Sequence, residues 1–194
     1  MFKLTTIALL FSILLATLRE TAAIEPPSAS PVHPRAGVVE APAPGLGEPI
    51  PTERELDLFI QGEGYFRINQ GNGEFRYTRD GSFRKDPNGD LVTADGFRLE
   101  PSISVPPVAL EVAIATDGAV SARVPGTEQL QTIGQILLTR FNNPEGLRRE
   151  WLTCFRVTED SGWGVNLAPG TQGVGLLRQG YLETLDRSPR GLGR

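Results

Sequence analysis

The feature that most constrains this fold is a series of Asp-Gly and Asn-Gly pairs between residues 65 and 124. Five such pairs separate short runs in which apolar and polar residues alternate. Asp and Asn tolerate the backbone angles of tight turns and glycine supplies positive φ, so these pairs are strong hairpin signals. The segment therefore predicts a β-meander, in which the glycines turn the chain rather than cradle a ligand.

The apolar register predicts the length of the loops. Three-residue loops are expected at 79–81, 87–89, 94–96 and 116–118. They would pair Tyr77 with Phe83, Lys85 with Leu91, and Leu91 with Leu99. One face would then carry Phe75, Tyr77, Phe83, Leu91, Phe97 and Leu99, whereas a two-residue loop would divide this apolar set between core and water. Type I turns with a glycine bulge follow, with Gly81 and Gly96 at positive φ.

The same parity argument applies on either side of this segment. The loop at 116–118 would group Leu110, Val112, Ile114, Val120 and Val124. An even loop of two or four residues around Asn72-Gly73 would join Phe66 and Ile68 to the face that holds Phe75 and Tyr77. The residues assigned to turns by this reasoning are Asp80, Gly81, Asn88, Gly89, Asp95, Gly96, Asp117 and Gly118.

The remaining sequence is also β-like. We expect a long, buried strand from about Ile133 to Phe141, a turn at residues 143–146, a loop at 159–173, and a last strand within "VGLLRQGYLETL". No amphipathic helix of useful length follows residue 23. The predicted class is all-β, a sandwich or partly closed barrel of about nine to eleven strands.

The two ends of the chain have a different composition. Residues 1–23 combine Lys3, an apolar run and small residues at Thr21 and Ala23, which predicts a secretion signal cleaved before Ile24, with an uncleaved anchor as the alternative. Residues 24–55 hold half of the 16 prolines and predict an extended, mobile tether that contains the sole histidine, His33. The predicted domains are therefore 1–23, 24–55, a β domain at 56–186 and a disordered tail at 187–194.

Few residues point to chemistry. Cys154 lies in an apolar run and is expected to be a buried, inert thiol rather than a reactive one. Asp86, Asn88 and Asp90 have the spacing of a calcium loop, but Leu91 and Phe97 stand where that loop needs Gly and Glu. Most carboxylates occupy turn positions, although a glycosidase pair is not excluded by sequence. A net charge of −4 without a basic patch argues against nucleic acid. We expect no enzymatic activity, metal or cofactor.

Four ordered motifs carry a resemblance to a known family. They are "LDLFIQGEGYFRI", "YTRDGSF", "GDLVTADGFRLEP" and "GLLRQGYLE", and they span about two thirds of the chain, from Leu56 to Glu183. The chain resembles the central β domain of the bacterial flagellar axial proteins, most closely the distal rod protein and then its proximal-rod and hook relatives. The resemblance implies a structural role without catalysis. It also implies fold-defining positions at Gly62, Gly64, Asp80, Gly81, Asp95, Gly96, Gly180 and Tyr181.

The sequence departs from that family at both ends. The resemblance implies long terminal helices that pair and drive polymerisation, but the residues after Ala23 show no heptad stripe. We therefore expect a non-enzymatic rod-type module that is exported by the general secretion route to the periplasm or basal body. It would dock on rod or hook proteins, remain a monomer or small oligomer alone, and not stay inserted in the membrane. The alternative is a secreted β-domain binding module of the cell envelope with no flagellar role.

Overall fold

The computed structural model describes residues 47–151 and 153–184. The predicted signal peptide, its cleavage site after Ala23, His33, residues 24–46 of the tether and the tail at 187–194 lie outside the described residues. The described chain is all-β, as predicted, with one short 3-10 turn at Pro144–Gly146. No described helix is long and apolar enough to cross a membrane.

Sixteen strands occur in the described residues, several of only two or three residues, where about nine to eleven were expected. They are β1 Pro49–Pro51, β2 Leu58–Gln61, β3 Tyr65–Asn69, β4 Phe75–Thr78, β5 Arg84–Lys85, β6 Leu91–Val92, β7 Arg98–Glu100, β8 Glu111–Ile114, β9 Ala119–Arg123, β10 Gln131–Gln135, β11 Leu138–Arg140, β12 Arg148–Trp151, β13 Cys154–Arg156, β14 Val165–Leu167, β15 Leu176–Gln179 and β16 Tyr181–Glu183.

The strands form one large sheet and three small ones. The nine-stranded sheet runs β12-β13-β4-β3-β7-β6-β5, and β11 joins it by pairing with both β3 and β14. The smaller sheets are β10-β9-β8, β15-β2 and β1-β16. The pairings between these strands are antiparallel, as expected for a meander joined by tight turns.

Both faces of the large sheet are covered by apolar side chains. Phe66 of β3 belongs to the main, mostly aliphatic core, whereas its neighbour Tyr65 belongs to a separate, mostly aromatic cluster with Tyr77 and Phe155. A strand buried on both faces carries apolar residues at successive positions, so parity no longer identifies a single inner face.

This two-faced burial explains two wrong predictions. Ile68 pairs with Arg76 and Gln70 N–H donates to Glu74 O at 3.2 Å, so the loop around Asn72-Gly73 has an odd number of residues, not the even number expected. The apolar set predicted for one face is also divided between the two cores. Phe83, Leu91 and Leu99 lie in the main core, whereas Phe75 and Tyr77 lie with the aromatic cluster.

Three of the four predicted three-residue loops are confirmed. Lys85 pairs with Leu91, Val92 pairs with Arg98 in the register that sets Leu91 opposite Leu99, and Ala115 N–H donates to Ala119 O at 2.9 Å. The fourth is wrong, because β4 pairs with β3 and β13 and does not form a hairpin that sets Tyr77 opposite Phe83.

The β8–β9 hairpin confirms part of the apolar grouping predicted for it. Val112, Ile114 and Val120 are buried in the main core. Leu110, which precedes the first residue of β8, is 62% exposed and departs from the prediction, and Val124 is half-buried.

Two predicted strands are interrupted. The expected strand from Ile133 to Phe141 is divided into β10, which is mostly exposed, and β11, which enters the large sheet. A register shift between Thr132 and Gly134 bends β10. The last strand is likewise divided into β15 and β16 at Gly180, whose φ is +78°. The predicted loop at 159–173 contains β14.

The predicted tether reaches into the described residues and needs correction there. Within residues 24–55, the segment Pro49–Pro51 forms β1 and pairs with β16, and Thr184 N–H donates to Glu48 O at 2.9 Å. The chain therefore enters and leaves the β domain side by side. We call residues 47–52 and 180–184 the neck. The other predicted domain limits stay predictions.

Candidate functional site

Three of the four motifs that carry the resemblance meet next to the neck. β2, from the first motif, pairs with β15, from the last, with Leu58 opposite Gln179. Leu58 N–H donates to Gly81 O at 3.1 Å, which brings in the second motif, and Gly180 N–H donates to Asp57 O at 2.8 Å. Segments that lie more than 90 residues apart in the chain thus form one site.

A buried arginine lies at the centre of this site. The side chain of Arg79 is 3% exposed, and its Nε donates to Glu183 Oε2 at 2.7 Å. Its Nη1 donates to the carbonyl oxygens of Gly62 and Gly64, both at 2.9 Å, and its Nη2 donates to Ile60 O at 2.9 Å. We call these five residues the Arg79 junction. It fixes the β2–β3 turn to the strand that leaves the domain.

Glu183 extends the junction to the incoming chain. Its Oε1 accepts a hydrogen bond of 2.6 Å from Gly47 N–H, while its Oε2 binds Arg79. Both charges are buried, and such a pair is tolerated in a protein interior when its remaining donors and acceptors are hydrogen-bonded. The ion pair therefore links the two strands of the neck to the core.

Gly62 and Gly64 have backbone conformations that present their carbonyl groups to Arg79. Their φ angles are +118° and +125°, values that side-chain-bearing residues rarely adopt. A Cβ on Gly62 would lie 3.0 Å from Gly175 Cα, and one on Gly64 would lie 3.2 Å from Leu138 Cβ. The lack of space for a Cβ and the positive φ both favour glycine at residues 62 and 64.

Gly81, which follows Arg79 by two residues, requires glycine for a different reason from the one predicted. Its φ lies outside the left-handed region, so the expected positive φ is wrong. A Cβ there would lie only 1.9 Å from Leu58 O, a backbone atom that has no free side chain to move aside. Close approach of two backbones, and not turn geometry, excludes a side chain.

The other predicted turn positions are spread along the domain. Gly89, Gly96, Gly118 and Gly180 have positive φ, which confirms this prediction for Gly96. Asp80 accepts hydrogen bonds from the N–H and hydroxyl of Ser82, and Asp117 accepts one from Ala119 N–H. The remaining positions are Asn88 and Asp95 in loops, and Tyr181 beneath the guanidinium of Arg178. That all of these residues define the fold stays a prediction.

Like Arg79, Gln179 is a residue of the site that was not predicted from the sequence. Its Oε1 accepts a hydrogen bond of 3.0 Å from Ile114 N–H, and its Nε2 donates to Val112 O at 2.8 Å. The same nitrogen donates to Glu55 O at 2.7 Å. The side-chain amide of Gln179 thus hydrogen-bonds to the backbone of β8 as a neighbouring strand would. It thereby joins the three-stranded sheet to β15.

A cleft of about 290 Å³ lies beside the neck. Its lining residues are Ile50, Thr52, Asp80, Ser82, Leu182, Glu183 and Thr184. Among the described residues no group of three or more His, Cys, Asp or Glu is placed to hold a metal ion. The Asp86 carboxylate of the calcium-like segment accepts hydrogen bonds from the backbone N–H groups of Asn88 and Asp90.

Burial raises the pKa of two ionisable side chains in the large sheet, Tyr65 and Cys154. Desolvation raises the pKa of Tyr65 to about 12, with a smaller lowering effect from Arg79 and smaller raising effects from Glu183 and Glu63. Desolvation also raises the pKa of Cys154 to about 11. Cys154 as a residue is 3% exposed, which confirms the predicted burial, and the raised pKa disfavours the reactive thiolate.

Comparison with known proteins identifies the domain. Residues 59–122 match the family model of the flagellar hook protein FlgE/F/G D1 domain. The chain is 41% identical over 133 residues to the flagellar basal-body rod protein FlgG of Buchnera aphidicola from Schizaphis graminum, covering 69% of this chain and 51% of that protein. It is 41% identical over 137 residues to FlgG of Caulobacter vibrioides, covering 71% and 52%.

A more distant rod protein also matches. The chain is 32% identical over 120 residues to the flagellar basal-body rod protein FlgF of Escherichia coli, covering 58% of this chain and 47% of that protein. The chain spans about half the length of the FlgG relatives. The residues matched by the family model include Ile60, Gly62, Gly64 and Arg79 of the Arg79 junction. Through its β domain, this chain belongs to the family of flagellar hook and basal-body rod proteins.

Proposed function

We propose that this chain is a structural, non-enzymatic module of the flagellar basal body, of the distal-rod or hook type. The observation that carries the proposal is the 41% identity to two FlgG proteins over 133 and 137 residues, more than two thirds of this chain. The relatives favour this function over a secreted binding module without a flagellar role.

The neck suggests how such a module would transmit force. β1 and β16 run side by side, and Glu183 connects both of them to Arg79. A pull on either end of the domain would therefore load a buried ion pair and a two-stranded ladder instead of one flexible connection. This arrangement suits a part of a rotating tube, which must keep its domains fixed relative to the segments that join them.

The location of the protein tests the proposal. Hook–basal bodies purified from cells that make the chain should contain it, as detected by an antibody or by mass spectrometry of tryptic peptides from residues 56–183. Recovery of the chain only from envelope fractions that lack basal bodies would contradict the proposal. The same samples allow intact-mass measurement, in which cleavage before Ile24 is expected and retention of residues 1–23 would refute the predicted signal.

We propose that the partners are rod or hook proteins, and that the chain docks its β face on a partner that bears helices. Alone, the purified protein should be a monomer or small oligomer in light-scattering experiments. Tubes or rods formed at high concentration without a partner, seen by electron microscopy, would contradict this.

A further inference from the structure

Trp163 is held at the surface by its two neighbours. Its side chain is 90% exposed, and it lies within the sequence Gly162-Trp163-Gly164. Gly162 has a φ of +67°, and a Cβ on Gly164 would lie 2.4 Å from Thr139 Cγ2 and 2.8 Å from Phe141 Cε1. The backbone on both sides of the indole is therefore constrained. Tryptophan is among the residues that most often dominate the binding energy of protein interfaces.

The strand that follows Trp163 has an open edge. β14 pairs with β11 and, within the described residues, with no other strand. Its residues are Val165, Asn166 and Leu167, so it lacks the charged or prolyl residues that commonly protect an edge. Val165 is 56% exposed. An extended segment can add to such an edge by backbone hydrogen bonding, with side-chain pockets giving selectivity.

Three carboxylates lie on the turns that lead to this edge. Glu145, Glu159 and Asp160 are exposed, and none forms an ion pair among the described residues. Two hydrogen bonds hold the turns together: Asn143 Nδ2 donates to Asp160 O at 3.1 Å, and Thr158 Oγ1 donates to Gly146 O at 2.6 Å. The negative charge thus lies on the turns next to Trp163, whereas Arg140, the cation opposite Val165, is engaged by Glu63 and by the carbonyl oxygen of Gln172.

We propose that β14 and Trp163 form the docking surface for an extended segment of another protein that carries arginine or lysine beside apolar residues. The backbone of the segment would pair with β14, and its apolar residues would cover Val165. A cation over the indole face is attracted by the ring, and Arg is the commoner partner in such contacts. The three carboxylates would select a cationic segment and reject an acidic one.

This proposal goes beyond the proposed function and does not depend on it. Trp163 lies outside residues 59–122, which match the family model. A second copy of the chain is the competing occupant, because the edge strand β12 carries Arg148 and Arg149. The experiment therefore has to distinguish self-association from binding of a separate segment.

The chain provides its own optical probe. It contains two tryptophans, so Trp151→Phe in the full chain leaves Trp163 as the sole indole. The probes are three ten-residue peptides in which valine alternates with arginine, glutamate or serine. The arginine peptide should shift Trp163 emission to the blue, because the indole is removed from water. Its affinity should exceed that of the glutamate peptide at least about tenfold and should fall with added salt.

Variants complete the test with labelled arginine peptide and fluorescence anisotropy. Trp163→Ala should weaken binding at least about tenfold, and the double variant Glu159→Gln, Asp160→Asn should weaken it and reduce its salt dependence. Trp151→Phe is the matched control and should bind normally. Equal binding of the arginine and glutamate peptides, no binding of any peptide, or an unaffected Trp163→Ala variant would overturn the proposal. A concentration-dependent blue shift without peptide would assign the surface to a second copy instead. None of these outcomes depends on whether the chain is found in basal bodies.

Discussion

The segment at residues 79–81, which carries Arg79, and the turn at residues 94–96 both contain an Asp-Gly pair, yet the two glycines are required for different reasons. Gly96 adopts positive φ at an exposed turn where an added Cβ would meet nothing within 4 Å. Gly81 has no positive φ, and an added Cβ would meet the backbone oxygen of Leu58. The first glycine satisfies a local requirement of the chain, and the second satisfies a contact between distant segments.

The difference teaches that one dipeptide can have a local or a tertiary origin. At residues 94–96 the turn closes its own hairpin, because Thr93 N–H donates to Phe97 O at 2.8 Å. At residues 79–81 the chain instead leaves β4 so that Arg79 can reach carbonyl groups of the β2–β3 turn. Substitutions in the two regions should therefore differ in size and in their dependence on side-chain shape.

The largest effect is expected for Arg79→Ala. This change leaves the Glu183 carboxylate buried without its cation and removes the donor from three carbonyl groups. Loss of one partner of a buried pair costs about 3–5 kcal/mol. Denaturant unfolding should show a loss of this size, and Arg79→Lys should restore little of it because an ammonium cannot reproduce the planar set of donors.

The surface pair Arg123–Glu111 provides the matched control. Arg123 Nη2 lies 2.7 Å from Glu111 Oε2, the same distance as in the buried pair, but the two side chains are 40% and 44% exposed. Exposed pairs contribute about 0–1 kcal/mol. If Arg123→Ala and Arg79→Ala destabilised the domain equally, burial would not be the source of the effect and the junction would lose its assigned role.

The rules for turn dipeptides and for alternating apolar residues predicted the parts of the fold that depend only on residues close together in the sequence. Asp95-Gly96 and Asp117-Gly118 formed the expected hairpin loops, because Asp, Gly and the flanking alternation are all that such loops require. The all-β class and the family resemblance were also predicted. The register of β3 against β4 was not, because Tyr65 and Phe66 face two different cores and the parity argument assumes one.

Arg79, the centre of the candidate site, was not predicted from the sequence for a related reason. Arg79 stands within an apparent turn, where an arginine is normally solvated, and its acceptors lie 15 to 104 residues away. No local pattern specifies such contacts. The available signal was that the motifs around Arg79 and Glu183 both belong to the resemblance, which placed Gly62, Gly64 and Gly180 at fold-defining positions without saying what they contact.

Gly81→Ala should have the next largest effect. Accommodating a methyl group 1.9 Å from Leu58 O requires the two backbones to separate, and overpacking of this kind costs about 3 kcal/mol, at the upper end of its usual range. Gly81→Asn should cost at least as much, because the larger side chain needs more room. Equilibrium denaturation measures both, and an asparagine variant more stable than the alanine variant would show that conformation and not space is limiting.

High pH should destabilise the domain in a defined window. The folded-state pKa values of Tyr65 and Cys154 are raised, to about 12 and about 11, from ordinary values of 10.0 and 9.0. The stability from keeping these groups neutral is fully present below pH 9 and is lost as pH rises through the folded values. A shift of this size corresponds to roughly 2–3 kcal/mol for each group at most.

Two variants would show which side chain causes the loss of folding stability at high pH. Cys154→Ala should lose less stability than the parent protein between pH 9 and 11, and Tyr65→Phe should lose less between pH 10 and 12. Tyr65 ionisation would introduce a charge near Arg79 and Glu183, whereas Cys154 ionisation would introduce one on β13, opposite Thr78. Parallel pH profiles for both variants and the parent would contradict the assignment.

The smallest effect is expected at Gly96. A Cβ there meets nothing within 4 Å, so Gly96→Ala costs only the strain of holding a side-chain-bearing residue at a φ of +86°, about 1 kcal/mol. Asparagine tolerates this region better than alanine does, so Gly96→Asn should be the more stable variant. This order is the reverse of the order at Gly81. Denaturant melts of the four variants therefore test the comparison directly: if alanine were preferred to asparagine at both positions, steric room would be limiting at the exposed turn as well, and the distinction between the two glycines would fail.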